Sequence, residues 1–283
     1  MNYRHAFHAG SFADVLKHAV LTRVLLHLLE KESAFRVIET HAGADRYDLA
    51  GEPAGRSGEW RQGIARLLKN PPGGEAGSLL EPYLALVRAE NPAGGLRIYP
   101  GSPALARALA RPRDRLIFCE LQPEERAALT KSVGRDRRAK VIDIDGWTAL
   151  KAYVPPPERR GLVLVDPPFE DADEFERLAT GLAEAHRRWA TGIYLLWYPI
   201  KDPLETEAFA DRVARLGIAN ILRLELRIGS ASADDALSAC GLFVVNPPWT
   251  LQREMRLLLP ALAQALGRDG ARAQRIDWIA PKS

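Results

Sequence analysis

The chain has 283 residues, 47% of them hydrophobic, which suits one large α/β domain with an insertion. Lys and Arg total 39 against 36 for Asp and Glu, a formal charge of +3 with a pI near 8.9, so an anionic partner is tolerated but not demanded. The two cysteines, Cys119 and Cys240, sit inside apolar runs and argue against a disulfide framework or a Cys-rich zinc site; the N-terminus lacks the apolar core of a signal peptide, and no apolar stretch is long enough to span a bilayer, so a cytoplasmic chain with no membrane partner is expected.

In chain order, residues 12–31 read as an amphipathic helix, with Phe12, Val15, Leu16, Ala19, Val20, Val24, Leu25 and Leu28 recurring at threes and fours and Ser11 as its N-cap. Residues 35–39 form a short strand that ends in Thr40-His41-Ala42-Gly43. Residues 46–98 break the rhythm. Gly and Pro cluster at 51–58, 71–77 and 92–95, two helical patterns (59–68 and 78–90) lie between them, and there is no convincing strand, so this stretch is expected to be a helical insertion.

Strands then alternate with helices. Strands are expected at 115–120, 140–144, 162–165, 192–197, 221–228, 241–245 and 274–279, with helices at 103–110, 124–132, 147–153, 175–190, 203–216 and 251–266. Short apolar strands separated by helices imply a largely parallel sheet covered on both faces, and the last two strands permit an antiparallel edge pair. The organisation is therefore 1–45 (N-terminal arm, first helix, first strand), 46–98 (insertion) and 99–283 (the rest of the main domain).

Ligands of open α/β sheets collect outside the C-terminal ends of the strands, which pools residues distant in sequence. Gly43 lets the backbone approach a ligand closely. Glu120 at the next strand end can accept from ribose hydroxyls, and Asp145 with Gly146 can hold an adenine edge. Each acid alone could equally cap a helix; their recurrence at successive strand ends points to an adenosine ligand. The GxGxxG and GxxxxGK[ST] patterns are absent, which argues against dinucleotides and phosphate loops. S-adenosyl-L-methionine carries adenosine without a pyrophosphate, and its sulfonium and amino group prefer acids.

Asp166-Pro167-Pro168-Phe169 follows the apolar strand Leu162-Val-Leu-Val165: an acid, a rigid lip and a flat aromatic, suited to a planar base held by its exocyclic amine. Asn246-Pro-Pro-Trp249 repeats this pattern after a late strand; Asp166 is preferred because its strand directly follows the three cofactor turns. His5, His8, His18 and His41 crowd the first 41 positions, but no HExxH is present and their spacing matches no compact metal set. His18 and Lys17 are instead expected to line the cofactor pocket beside His41. Tyr3, Arg4 and His5 form an arm able to stack on bases and pair with phosphates.

Tyr3-Arg-His5-X-Phe-His8-Ala-Gly10, Ala13-Asp14-Val-Leu-Lys17-His18, Thr40-His41-Ala42-Gly43, Tyr99-Pro-Gly-Ser102-Pro, Leu196-Trp-Tyr-Pro199 and the two Pro-Pro motifs together closely resemble the RlmJ family of bacterial 23S ribosomal RNA adenine-N6 methyltransferases. The resemblance runs from Tyr3 to about Ala280. It implies a monomeric, Rossmann-like class I S-adenosylmethionine-dependent methyltransferase with a small helical insertion after the first strand, and 23S ribosomal RNA as partner. It implies cofactor contacts at His18, His41, Ser102, Glu120, Asp145, Gly146 and Asp166. Phe169 stands where the motif more often has Tyr, retaining the stacking face. In that chemistry Asp166 and the Pro167 carbonyl accept hydrogen bonds from the target amine while Phe169 stacks on the base. The alternatives are methylation of DNA adenine or cytosine amines, and a non-catalytic RNA-binding protein on the same fold. Arg56, Arg61 and Arg66 make the insertion a candidate RNA platform.

Overall fold

The structure is a computed structural model that describes residues 5–230, 237–268, 270 and 272–280; the expected substrate contacts Tyr3 and Arg4 lie outside the described residues. A short 3-10 turn (His5–Phe7) leads into α1 (Phe12–Leu29) and β1 (Arg36–Glu39). The insertion comprises β2 (Arg46–Asp48), α2 (Glu52–Ser57), α3 (Glu59–Gln62), α4 (Ile64–Lys69), α5 (Gly74–Ala89) and β3 (Ile98–Pro100). There follow α6 (Ser102–Leu109), β4 (Arg115–Cys119), α7 (Pro123–Val133), β5 (Ala139–Ile142), α8 (Gly146–Tyr153), β6 (Gly161–Val165), α9 (Glu174–Arg188) and β7 (Ile193–Pro199). The chain closes with α10 (Pro203–Ala214), β8 (Ile221–Arg227), β9 (Ala239–Val245), α11 (Leu251–Leu266) and β10 (Ala273–Ala280).

Eight strands form one sheet in the order β10-β8-β9-β7-β6-β1-β4-β5. Pairings among β5, β4, β1, β6 and β7 are parallel. The period-two alternation of a strand sends its residues to two cores. Val37, Leu162, Leu164 and Leu195 pack with α1, α5, α6 and α11, whereas Ile38, Val163, Val165 and Leu196 pack with α8, α9 and α10. This is the three-layer α/β fold expected from the alternation of elements.

Three details differ from the sequence expectation. The last two strands do not pair with each other. β9 lies between β7 and β8, antiparallel to both, and β10 pairs with β8 at the edge. The insertion is not free of strands, because β2 and β3 form an antiparallel ribbon at its neck, with Tyr47 opposite Tyr99. Each is only three residues long and abuts Pro or loop sequence, too short to show a period. Helix α1 is not a surface amphipathic helix: Asp14, Lys17, His18 and Thr22 are buried along with its apolar residues. The insertion and α11 cover the side that would otherwise face water, with α5, α6 and α11 all packed on α1.

The closest approach of the insertion to the start of α1 is between backbones. Ile64 N–H donates to Gly10 O at 2.9 Å, and a Cβ on Gly63 would fall 2.1 Å from that same oxygen. Here the sequence needs a residue with no side chain, and Gly63 divides the expected helix 59–68 into α3 and α4. Gly63→Ala should therefore force the insertion away from α1 and lower stability by roughly 2–3 kcal/mol, read as a shift in the urea midpoint. An unchanged midpoint would show that the two segments yield freely.

Candidate active site

The register Arg36↔Arg115 and Arg36↔Gly161 brings the C-terminal ends of β4 and β6 level with that of β1 on one rim. A cavity of ≈ 330 Å³ opens there. Its wall contains Lys17, His18, His41, Gly43, Ser102, Glu120, Asp145, Gly146 and Asp166, together with His5. The structure therefore brings together the residues expected to hold the cofactor. A second cavity of ≈ 310 Å³ adjoins it, lined by Phe12, Phe169, Trp197, Pro199 and Lys201 among others. His5, Lys17, Asp166, Pro168 and Glu170 line both, so the Asp-Pro-Pro turn stands at the partition.

Each side chain at the rim is held by specific partners. Glu120 Oε2 accepts from Gly43 N–H at 2.7 Å and Oε1 accepts from Gln122 N–H at 2.8 Å, which fixes the carboxylate across two strand-end turns. Asp145 caps α8, its Oδ2 accepting from Thr148 N–H at 2.9 Å, so the helix-cap role coexists with a place in the cavity wall. Gly146 permits close approach: a Cβ there would lie 2.5 Å from the His41 ring and 2.6 Å from Thr40 O. Ser102 Oγ donates to Glu39 Oε2 at 2.6 Å, and burial pushes the Glu39 carboxyl up to about 8 despite that hydrogen bond. Trp147 stands between the His41 ring, edge-on at 5.3 Å, and the Arg177 guanidinium, 5.1 Å above its face.

Lys17 has a more specific place than a pocket lining. Its Nζ reaches Asp14 Oδ1 at 2.8 Å and Asp166 Oδ2 at 2.5 Å, with the lysine 4% exposed. Asp14 Oδ2 also accepts from Gly10 N–H at 2.9 Å and pairs with His5 Nε2 at 3.0 Å. Burial alone would lower the Lys17 ammonium's pKa, but Asp14 and Asp166 outweigh it and hold it raised. Burial likewise opposes the Asp14 carboxylate, yet His5 and Lys17 keep it well below the usual range.

Phe169 has φ 53°, a strained value for an aromatic residue, and its N–H donates to Glu174 Oε2 at 2.7 Å. Its ring packs against Phe175 and Trp197, at 5.0 and 5.8 Å between centroids. Asp14 and Trp197 entered the sequence reasoning only as members of quoted motifs, with no role given, and Glu174 did not enter it. Asp14 could have been given one, as the i−3 partner of Lys17; Glu174 carries no sequence signal beyond an acid at a helix start.

Asn246 lies elsewhere. Val245 pairs with Tyr194 near the start of β7, so Asn246 falls at the opposite rim from Asp166, with Nδ2 donating to Ala190 O and Gly192 O at 2.8 Å each. The N-terminal histidines also spread apart: His8 pairs with Glu59, and His18 with Tyr99.

The cavity chemistry fits S-adenosylmethionine. The carboxylates of Glu120, Glu125, Asp145, Asp166, Glu170, Asp171 and Glu174 line it against the cations Lys17 and Arg177, the reverse of a phosphate site. The acids suit a sulfonium and an amino group.

This sheet, with acids at successive parallel strand ends around one cavity, defines a class I S-adenosylmethionine-dependent methyltransferase with helical insertions. The chain belongs to the family described as RsmJ, "Ribosomal RNA large subunit methyltransferase D, RlmJ", whose model matches residues 32–280. It is 41% identical over 282 residues to the "Ribosomal RNA large subunit methyltransferase J" of Escherichia coli (strain K12), with 100% of both chains covered. Its counterpart of the same name from Haemophilus influenzae is 37% identical over 283 residues, again with 100% of both covered. A crystal structure of a protein from Legionella pneumophila superposes with a TM-score of 0.87 at 33% identity, covering 96% of this chain and 98% of that one.

The Lys17 bridge yields a pH prediction. Asp14 has a depressed carboxyl, so its contribution is present above the unfolded value of about 3.9 and fades as pH falls through the folded one. Lys17→Met should cost roughly 3–5 kcal/mol at neutral pH by leaving two carboxylates facing each other. It should also remove most of the acid loss of stability, since protonation then relieves the repulsion. Denaturant titrations from neutral pH down to acid would measure both; a parallel downward displacement of the whole curve would disprove the bridge.

Proposed function

We propose that this protein transfers a methyl group from S-adenosyl-L-methionine to the N6 amine of an adenine in 23S ribosomal RNA. The observation that carries the reading is Asp166 at the partition between an acid-lined cavity and an aromatic one, in a chain of the RlmJ family. When bound, S-adenosylmethionine supplies a methyl group on a sulfonium, an electrophile that a ring-conjugated amine attacks only when well oriented.

The protein's residues provide that orientation. Lys17 occupies Asp166 Oδ2, which leaves Oδ1 to accept a hydrogen bond from the adenine amine. The Pro167 carbonyl accepts the second, drawing the nitrogen lone pair out of the ring. Phe169 stacks on the base, its backbone pinned by Glu174. Trp197 and Pro199 close the aromatic cavity around it. Proximity and hydrogen bonding supply the help, without a strong base. Glu120 holds the ribose hydroxyls, and Asp145 with Gly146 the adenine of the cofactor. Tyr3 and Arg4 contact the RNA, His5, held on Asp14, lines the acceptor cavity, and Arg56 and Arg61, exposed on the insertion, meet phosphates. The target adenine leaves its stack to enter the cavity. Among the described residues no helix is long and apolar enough to cross a membrane; we read the enzyme as a cytoplasmic monomer.

Asp166→Ala should abolish methyl transfer to ribosomal RNA while the protein stays folded, whereas Asn246→Ala, at the far rim, should retain most of it. Labelled-methyl transfer followed by nucleoside analysis decides the matter, and near-parental turnover in the Asp166 variant would refute the assignment. Glu120→Ala should weaken S-adenosylmethionine binding by roughly 1.5–3 kcal/mol, as for a lost charged hydrogen bond. Calorimetric titration showing an unchanged Kd would remove Glu120 from the ribose site.

A further inference from the structure

Two tyrosines that line neither half of the site reach it through His18. Tyr83 on α5 and Tyr99 on β3 are 1% and 0% exposed, and their hydroxyls lie 2.8 Å apart. The Tyr99 hydroxyl lies 2.8 Å from His18 Nδ1, with the two rings stacked 5.5 Å apart. The other ring nitrogen, His18 Nε2, is buried with no hydrogen-bond partner, in a residue that lines the first cavity. Its nearest acid, Asp14 Oδ1, is 4.0 Å away and already holds Lys17, while Oδ2 holds Gly10 N–H and His5.

The direction of this chain follows from counting protons. Each buried hydroxyl must spend its own. If Tyr83 donates to Tyr99 and Tyr99 donates to His18 Nδ1, both hydroxyl protons are used and one group, the imidazole N–H at Nε2, is left for a ligand. In the opposite direction Nδ1–H donates to Tyr99 and Tyr99 to Tyr83. Two buried groups are then left over, the Tyr83 proton and the bare Nε2, because among the described residues Tyr83 Oη bonds only Tyr99 and Nε2 has no partner. Burial holds the imidazole at about 3, hence neutral, so one nitrogen carries a proton and the other does not.

We propose that Tyr99 and Tyr83 are positioning residues that lock His18 as the Nε2–H tautomer, giving the cavity a neutral donor for the carboxylate of the cofactor's amino-acid end. This rests on the assignment of the first cavity to S-adenosylmethionine. An N–H donor does not suit the sulfonium or ammonium. The ribose and adenine are met by Glu120 and by Asp145 with Gly146, so the carboxylate is the acceptor left. Tyr83 and Tyr99 belong to the insertion and its neck, and through them that excursion helps to shape the cofactor site.

Two-bond proton–nitrogen correlation spectra of the histidine-labelled parent protein should show His18 protonated at Nε2 and bare at Nδ1; a proton on Nδ1 overturns the proposal. Tyr99→Phe should weaken S-adenosylhomocysteine binding about tenfold, and Tyr83→Phe about threefold, by releasing the tautomer. Neither should change the affinity for 5′-methylthioadenosine, which lacks the amino-acid end. Equal losses for both ligands, or no loss for either, would overturn the proposal. His18→Asn separates the underlying reading. If it binds S-adenosylhomocysteine as tightly as the parent, His18 does not face the cofactor and the cavity assignment at this end fails. If it binds weakly while the tyrosine variants bind normally, only the positioning role fails. Thermal unfolding of each variant identifies any that do not fold, and the parent spectrum stands in either case.

Discussion

Lys17 joins two acids that the chain keeps far apart, Asp14 one turn earlier on α1 and Asp166 at the end of β6, and the catalytic turn takes its place from that bridge. An ammonium this deeply buried is tolerable only with full compensation, because the desolvation of one ion costs several kcal/mol. Two carboxylates, one of them also held by His5 and a backbone amide, provide it. Such a cluster adds little net stability compared with apolar packing. What it gives is a fixed direction for Asp166 at the boundary between the two cavities.

The bridge requires the first turns of α1, Phe12 to Thr22, to be buried on every side, and the insertion helps to make that so. Without α3 and α5, the face of α1 carrying its polar groups would meet water, and the ion pairs would be screened. The small ribbon of β2 and β3 anchors the excursion beside the cofactor cavity, with Tyr47 in the cavity wall and Tyr99 against His18. The insertion thus has a structural relation to the cofactor side of the site as well as any relation it has to RNA.

Strain is concentrated at the turn that meets the acceptor. Phe169 is held at positive φ, at a cost of order 1–3 kcal/mol, and Glu174 answers its amide from the first turn of α9. Burial raises the Glu174 carboxyl, while the Phe169 amide and Arg177 act against it. The aromatic ring is thereby set against Phe175 and Trp197 before any base arrives.

The sequence alone determined the alternation of strands and helices, the acids at successive strand ends and the Asp166-Pro-Pro-Phe169 turn, because each is written in local periodicity or in adjacent residues. It also placed Glu120, Asp145 and Gly146 on one rim, since parallel strands put their ends on the same side. The tertiary structure decided what depends on which segments meet. It reversed β9 between β7 and β8 and so carried Asn246 to the far rim. It turned an apparently amphipathic helix into a buried one, and it paired Lys17 with Asp166 across 149 positions of sequence. Local pattern reports the face a residue presents, but the partner on that face comes from distant chain. A buried charge is readable only once its partner is known.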